Sequence, residues 1–383
     1  MRKPLFALAV AAFGIGTTEF IIMGLLPDLA HDFNVSIPKA GTLVSAYALA
    51  VTIGSPLLVL ALAKVDRKRA LILLMLLFVV GNSACALAPT FGLLLTARIL
   101  TALMHGSFFG IGSIVAANVV PREQRAQAVA IMFSGLTLAN VLGVPAGTAL
   151  GQAFGWRMAF WAIVPIGFIA AAGVWRLVPH QHAEPVHVLN ELRSVARKEV
   201  LIVLSTSVLS STAMFCILTY IAPILEIVTH VSPHGVTLVL VAFGVAITVG
   251  NLLGGIMADK HGIAAVMSGF LILVLLFLLF PLAEQRVVTC VAAIMIWGAL
   301  HFAVGAPLQT RVVDQAEGAQ NLASTLNQGA FNLGNALGAT LGAGVLTVGF
   351  GYRDLAYASA AVAALAAGAA ALSWRLEQRQ QIR

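Results

Sequence analysis

Apolar runs as long as a bilayer core is thick recur along this chain, and they leave little freedom in what it can fold into. A membrane-crossing helix needs about 20 consecutive apolar residues. Such runs lie near 5–27, 42–63, 70–88, 91–119, 127–149, 158–178, 200–225, 236–258, 263–283, 287–310, 322–347 and 355–374. Membrane-crossing strands would instead alternate polar and apolar residues over about 10 positions. These runs do not alternate and are rich in Leu, Ala, Val and Gly. Only 10% of the 383 residues are charged, against about 25% in soluble domains. The expected fold class is therefore an all-α membrane protein with twelve transmembrane helices.

Basic residues set the expected orientation. With the N-terminus in the cytoplasm, 17 Lys and Arg fall on the cytoplasmic side and only Lys39, Arg157, Arg286 and Arg353 fall outside. An excess of this size on one side fixes topology, so both termini are expected inside. The net charge of +7 is dispersed among loops, which speaks for topology and against a nucleic-acid partner. The basic-then-apolar start is read as the first helix, retained, because the run continues past Glu19 to Pro27 with no convincing cleavage site. Residues 180–199 form the longest polar stretch and are expected to be a cytoplasmic linker between 1–179 and 200–383. Val188, Leu189, Leu192, Val195 and Ala196 recur there at helical spacing, which suits a short amphipathic helix on the membrane face. Cys85, Cys216 and Cys290 are scattered among the spans and are expected to pack rather than to form disulfides or ligate metal. No cofactor and no metal is expected. No enzyme motif and no phosphate-binding loop is present in the sequence, so ATP is not the expected energy source.

Glu19 and Arg98 are the only charged side chains in the interior of any run. Ionisable groups inside a bilayer are costly, face a bundle interior or wet cavity, and mark ion or substrate pathways. Each lies about seven residues from the outer end of its run, roughly 10 Å below the boundary at ~1.5 Å per residue. Equal depth permits contact. A fixed structural ion pair and a proton switch are both compatible with that placement, because desolvation raises a carboxylate pKa and a nearby guanidinium lowers it.

The halves echo each other. Phe154-Gly155-Trp156-Arg157 recurs as Phe350-Gly351-Tyr352-Arg353, and His105 as His301, both 196 residues on. Ala139-Asn140-Val141-Leu142-Gly143 resembles Gly334-Asn335-Ala336-Leu337-Gly338 at 195, and Asp66-Arg67 matches Asp259-Lys260 at 193. Six spans return the chain to its starting side, so the repeats are parallel, an arrangement that forms a midplane site between two rocking halves.

Twelve spans as six plus six, with a cytoplasmic linker, resemble the major facilitator superfamily over essentially the whole chain. Thr17-Thr18-Glu19-Phe20 through Pro27, Ala97-Arg98 through His105-Gly106-Ser107-Phe108-Phe109-Gly110, and Gly135 through Arg157 are similar to bacterial drug:proton antiporters. Among these they look most like inner-membrane permeases labelled arabinose or sugar efflux proteins. The family's loop signature resembles Gly255-Ile256-Met257-Ala258-Asp259-Lys260-His261-Gly262; the first half keeps Asp66, Arg67 and Arg69, with Leu62 and Arg69 where the signature has glycines. The antiporter signature has adjacent Gly and Pro, where this chain has Gly143-Val144-Pro145.

The resemblance implies a monomeric inner-membrane transporter whose partners are a small-molecule substrate, protons and the lipid bilayer. Proton coupling is expected from Glu19, Arg98 and His105. Substrate contacts are expected from Thr18, Phe20, Met23, Thr101, Phe108 and Phe109, and in the second half from Tyr220, Trp297 and His301. Thr212, Thr219 and Phe331 are weaker candidates of the same kind. Asp66, Arg67, Arg69, Asp259 and Lys260 are expected at the cytoplasmic gate. Arg98, Thr101, His105 and Phe108 or Phe109 share one helical stripe, yet each of these residues also has a plain packing or loop reading. Asn140 and Asn335 read as marks of close helix contact, and Arg157 and Arg353 as structural. The expected activity is proton-coupled efflux of small amphipathic or drug-like molecules by alternating access. Export of a polar metabolite, proton-coupled import and a non-transporting sensor remain open.

Overall fold

The computed structural model describes residues 3–62, 64–181, 196–316 and 320–381. Within these, the side chains at 60, 123, 126, 255, 257–263, 265, 306, 320–321, 377 and 379–381 lie outside the description. So does most of the linker, including the amphipathic helix expected there. The described residues form helices and turns with no strand. They cluster into two compact units, Met1–Pro185 with Pro233–Gly244, and Val186–Ser232 with Val245–Arg383.

In the first unit the main helices are α1 (Lys3–Gly24), the short α2 (Leu26–Asp32), α3 (Ile37–Ala61), α4 (Arg67–Leu87), α5 (Phe91–Asn118), α6 (Arg125–Leu138), α7 (Val144–Phe154) and α8 (Trp156–Leu177). Helices α6 and α7 belong to one span, 127–154, interrupted by a wide π-turn at Ala139–Gly143. Pro145 follows the turn and explains it. Its nitrogen has no hydrogen to donate and its ring crowds the carbonyl four residues back, so the ladder widens, with the Val144 amide reaching the Ala139 carbonyl. Gly155, at φ +89, makes the corner into α8, a conformation that glycine adopts without strain.

The later helices are α9 (Lys198–Leu218), α10 (Pro233–Ala283), α11 (Val287–Gln315), α12 (Gln320–Thr347) and α13 (Tyr352–Gln381). Helix α10 runs for 51 residues through both the eighth and ninth expected spans, so the loop expected at Asp259–Gly262 is helical in backbone. The reversal survives all the same. Gly254 packs on Ala303 and Gly269 on Val304, neighbours that a straight helix would hold about 22 Å apart at 1.5 Å per residue. The backbone therefore bends back on itself between Gly254 and Gly269. Eleven segments among the described residues are long and apolar enough to cross a membrane. Helix α12 is long enough at 28 residues but falls short in apolarity, because Asn327, Asn332, Asn335 and Thr340 interrupt it.

The duplication read in the sequence is also a duplication of contacts. Gly143 and Gly147 press on Thr17 and Ile21 of α1, and Gly338 and Gly342 press on Thr212 and Cys216 of α9. Every partner in the second set lies 195 residues beyond its counterpart. Small residues let helix backbones meet closely where no hydrophobic drive exists between helices in lipid. Gly135 extends the first seam, with a hypothetical Cβ set against the Ala9 carbonyl and 2.8 Å from the Phe13 nitrogen. The corners before the last helix of each half repeat too. Arg157 donates to the Ala88 carbonyl (3.1 Å), and Arg353 pairs with Glu284 (3.1 Å). Both members of the second pair lie 196 residues beyond those of the first.

Gly135→Val forces the α1–α6 seam apart and is expected to cost about 1–3 kcal/mol, as overpacking does. The thermal midpoint of the purified protein should drop by several degrees. Gly110→Ala, where nothing lies within 4 Å of the added carbon, should leave it unchanged.

Candidate functional site

Arg98 is wholly buried, and the first unit is arranged to hold it. Its Nη1 donates to the Thr18 carbonyl at 2.6 Å and its Nη2 to the Glu19 carbonyl at 3.3 Å. Its guanidinium carbon sits 4.0 Å from the centre of the Tyr47 ring. A desolvated cation over an aromatic face is stabilised by ~2 kcal/mol or more, and a carbonyl already used in a helix has a second lone pair to offer. Arg98 therefore ties α5 to the main chain of α1 and to α3. Its Nε has no acceptor, which leaves one donor unspent.

The Glu19 carboxylate lies elsewhere in the same cluster. It lies near the imidazole of His105 on α5, with Oε2 and Nε2 3.9 Å apart. The other ring nitrogen of His105, Nδ1, is 3.1 Å from the Tyr47 hydroxyl. Carboxylate, imidazole and phenol thus form a chain that begins on α1, crosses α5 and ends on α3 under the Arg98 guanidinium. All three side chains are buried. The imidazole–phenol contact is within hydrogen-bonding distance, whereas the carboxylate–imidazole separation is longer than a hydrogen bond.

The remaining expected residues divide by their surroundings. The Thr18 hydroxyl donates to Asn82 Oδ1 at 2.9 Å, and Thr101 donates to the Ala97 carbonyl at 2.7 Å. Both therefore serve the scaffold around Arg98 in this structure. Met23 and Phe108 are buried, and Phe20 is half-buried. Phe109 bridges His105 (5.2 Å between ring centres) and Phe133, on which it stacks at 5.1 Å and 20°. Sequence reasoning passed over Tyr47, Asn82 and Phe133. A tyrosine and an asparagine inside otherwise apolar runs were the available signal for the first two.

In the second unit Tyr220 is buried, donates to the Ala339 carbonyl at 3.0 Å and packs on Gly342. Trp297 is fully buried, edge-on to Phe277, and His301 is buried beside Phe302. Thr212 and Thr219 bond back to the Val208 and Phe215 carbonyls, and Phe331 is half-buried. His301 repeats His105, but Met214 and Ile294 occupy the positions that match Glu19 and Arg98, 195 and 196 residues on. The charged cluster is confined to the first unit.

Of the expected gate residues, Asp66 is the best defined. It caps α4 by accepting from the Arg69 amide (3.1 Å) and also accepts from the Gln181 amide (3.0 Å), with His180 Nδ1 at 3.1 Å. The Arg67 amide returns a bond to the Gln181 carbonyl at 3.0 Å. Burial works against its ionisation, but those hydrogen bonds outweigh it and hold the carboxyl below its ordinary range. The chain leaving α8 is therefore clasped to the start of α4. Asp259 and Lys260 lie in the backbone of α10, with side chains outside the description.

At the opposite ends of the helices two acids hold the repeated corners. Asp32 accepts from Trp156 Nε1 and Arg157 Nη1, both at 2.8 Å, bonds that keep it below the usual carboxylate pKa. Glu284, missed in the sequence, is fully buried with Arg353 as its ion-pair partner. Burial pushes its carboxyl up to about 7 against the pull of that guanidinium.

A family profile described as Major Facilitator Superfamily matches residues 8–228 and 203–382. The chain is 48% identical over 369 residues to the inner membrane transport protein YdhP of Escherichia coli (strain K12), covering 96% of this chain and 94% of that protein. It is 34% identical over 355 residues to the chloramphenicol resistance protein of Streptomyces lividans, covering 90% of each. A crystal structure of a bacterial homolog of the human lysosomal transporter Spinster, inward-facing and unoccupied, superposes with a TM-score of 0.80 at 16% identity. It covers 97% of this chain and 96% of that one.

A carboxyl that folds with its pKa above the ordinary value takes up a proton on folding, so its stabilising contribution is present at low pH and fades as pH rises. For Glu284 the fall runs from about 4.5 to about 7. The thermal midpoint of the wild type should therefore drop between pH 5 and pH 8 more steeply than that of Glu284→Gln. Parallel profiles would show that Glu284 does not titrate there.

Proposed function

The chain belongs to the major facilitator superfamily, and from that membership we propose that it is a proton-coupled antiporter exporting small amphipathic molecules across a bacterial inner membrane. As a member of this family it is a transporter with the twelve-helix fold. Both termini lie in the cytoplasm in our reading, supported by the 17-to-4 distribution of basic residues. The halves 1–179 and 200–383 are the rocking bodies of a monomer, and Asp66, Arg67, Arg69, Asp259 and Lys260 form its cytoplasmic gate.

One observation carries the proton-coupling reading: a buried carboxylate faces an imidazole that is itself bonded to a phenol, all beside an anchored guanidinium. With the site open outward, Glu19 takes a proton and substrate leaves. The neutral acid then turns its hydrogen toward His105 Nε2 in the tautomer that carries its own hydrogen on Nδ1, facing the Tyr47 oxygen, and the buried cluster gains one positive charge. Arg98 stays on the α1 carbonyls throughout, so the change in charge acts on α1, α3 and α5 together. Proton release inside restores the carboxylate, for which the spare Arg98 Nε donor is available. A membrane potential of 100 mV contributes about 2.3 kcal/mol per charge moved, enough for roughly a 50-fold gradient. Phe20, Phe109 and Phe133 supply an adaptable apolar wall, with Met23 beside them. The names of an inner membrane transport protein and a chloramphenicol resistance protein among the relatives support the location and the direction of transport.

Reconstituted protein tests this directly. An imposed proton gradient should drive chloramphenicol or a hydrophobic cation against its concentration. Glu19→Gln should abolish that pumping while leaving substrate counterflow without a gradient largely intact. Gradient-driven transport that persists in Glu19→Gln rules out this carboxylate as the carrier. Pumping of polar solutes alone would redirect the substrate assignment to a metabolite.

A further inference from the structure

Within the second unit a groove of about 380 Å³ runs between α9 and α13. Its walls are Leu201, Ile202, Ala369 and Leu372, and Lys198 stands at one end. Leu201 and Leu372 are each nearly half exposed, so no protein segment among the described residues fills the groove. Ser205 also lines it but donates its hydroxyl to the Leu201 carbonyl at 2.8 Å, which leaves the lining apolar in character. Lys198 is exposed at the first turn of α9, and Arg375 is exposed about one turn beyond Leu372 on α13. Trp374, partly exposed, lies beside it. Two cations and an indole where two apolar helices end are the signature of the headgroup level. Glu199, next to Lys198 in the sequence, is half-buried and has an interaction partner.

We propose that this groove binds one anionic phospholipid, its acyl chain lying along Leu201 and Leu372 and its phosphate held by Lys198 and Arg375. The apolar walls accept any acyl chain, and the basic mouth makes the choice among headgroups. Basic pockets between membrane helices gather anionic lipids in this way, and each Lys or Arg near the surface contributes about fivefold in affinity. The site stands apart from the Glu19 cluster and does not depend on proton coupling.

Native mass spectrometry of the purified full chain, incubated with phosphatidylglycerol and phosphatidylcholine of matched chain length, tests the assignment. The wild type should retain phosphatidylglycerol over phosphatidylcholine. Lys198→Ala should lower phosphatidylglycerol retention about fivefold and leave phosphatidylcholine unchanged. Arg375→Ala should act alike, and both positions are exposed enough to leave the thermal midpoint in place. Ala369→Trp, which fills the groove, should displace both lipids. Equal retention of the two lipids by the wild type, or unchanged phosphatidylglycerol retention in both alanine variants, overturns the proposal.

Discussion

A guanidinium with no access to water has to be held from several sides at once, and the first unit is organised around doing so. Arg98 spends two nitrogens on the main chain of α1 and its flat face on Tyr47 of α3. Removing one partner from a buried charge is far more damaging than the pair is stabilising. The helices that carry those partners are therefore constrained together. Asn82 of α4 joins the arrangement through Thr18, and Gly81 lets Thr101 of α5 come close. The carboxylate of Glu19 is left outside this anchoring set. Its charge can change without releasing the cation that binds the helices to one another.

Around that cluster the packing follows the chemistry of lipid rather than of water. Seams of glycine, not interlocked leucines, bring α1 against α7 and α9 against α12. The repeated arginine corners use different partners for one purpose. In the first unit a main-chain carbonyl and an exposed aspartate receive Arg157, while in the second the carbonyl's counterpart position carries an acid, Glu284, that receives Arg353 directly.

Much of this was legible in the sequence because hydrocarbon thickness imposes a length on every span, and because duplication leaves the same letters at the same offset. The offsets of 195 and 196 reappear as matched contacts at Gly143 and Gly338, and at Arg157 and Arg353. That Glu19 and Arg98 face the interior of the helix bundle was legible from charge alone. Their geometry was not, since a side chain four rotatable bonds long can reach a carbonyl as readily as a carboxylate. Tyr47 went unseen because a tyrosine in an apolar run looks like core until its ring is found under a cation. The segment around Asp259 was expected as an open loop, yet its backbone is helical. Helix α12 shows the limit of hydropathy, because its asparagines lower its apolar score while two of them, Asn327 and Asn332, donate their amide groups to Gln309 Oε1 and the Gln328 carbonyl.

Met214 and Ile294 stand where the repeat would place a second acid and a second base. The two halves therefore share glycine contacts and arginine corners but differ in charge at these two positions. Voltage across the bilayer acts on embedded charge, and at these matched positions ionisable groups occur in one half alone.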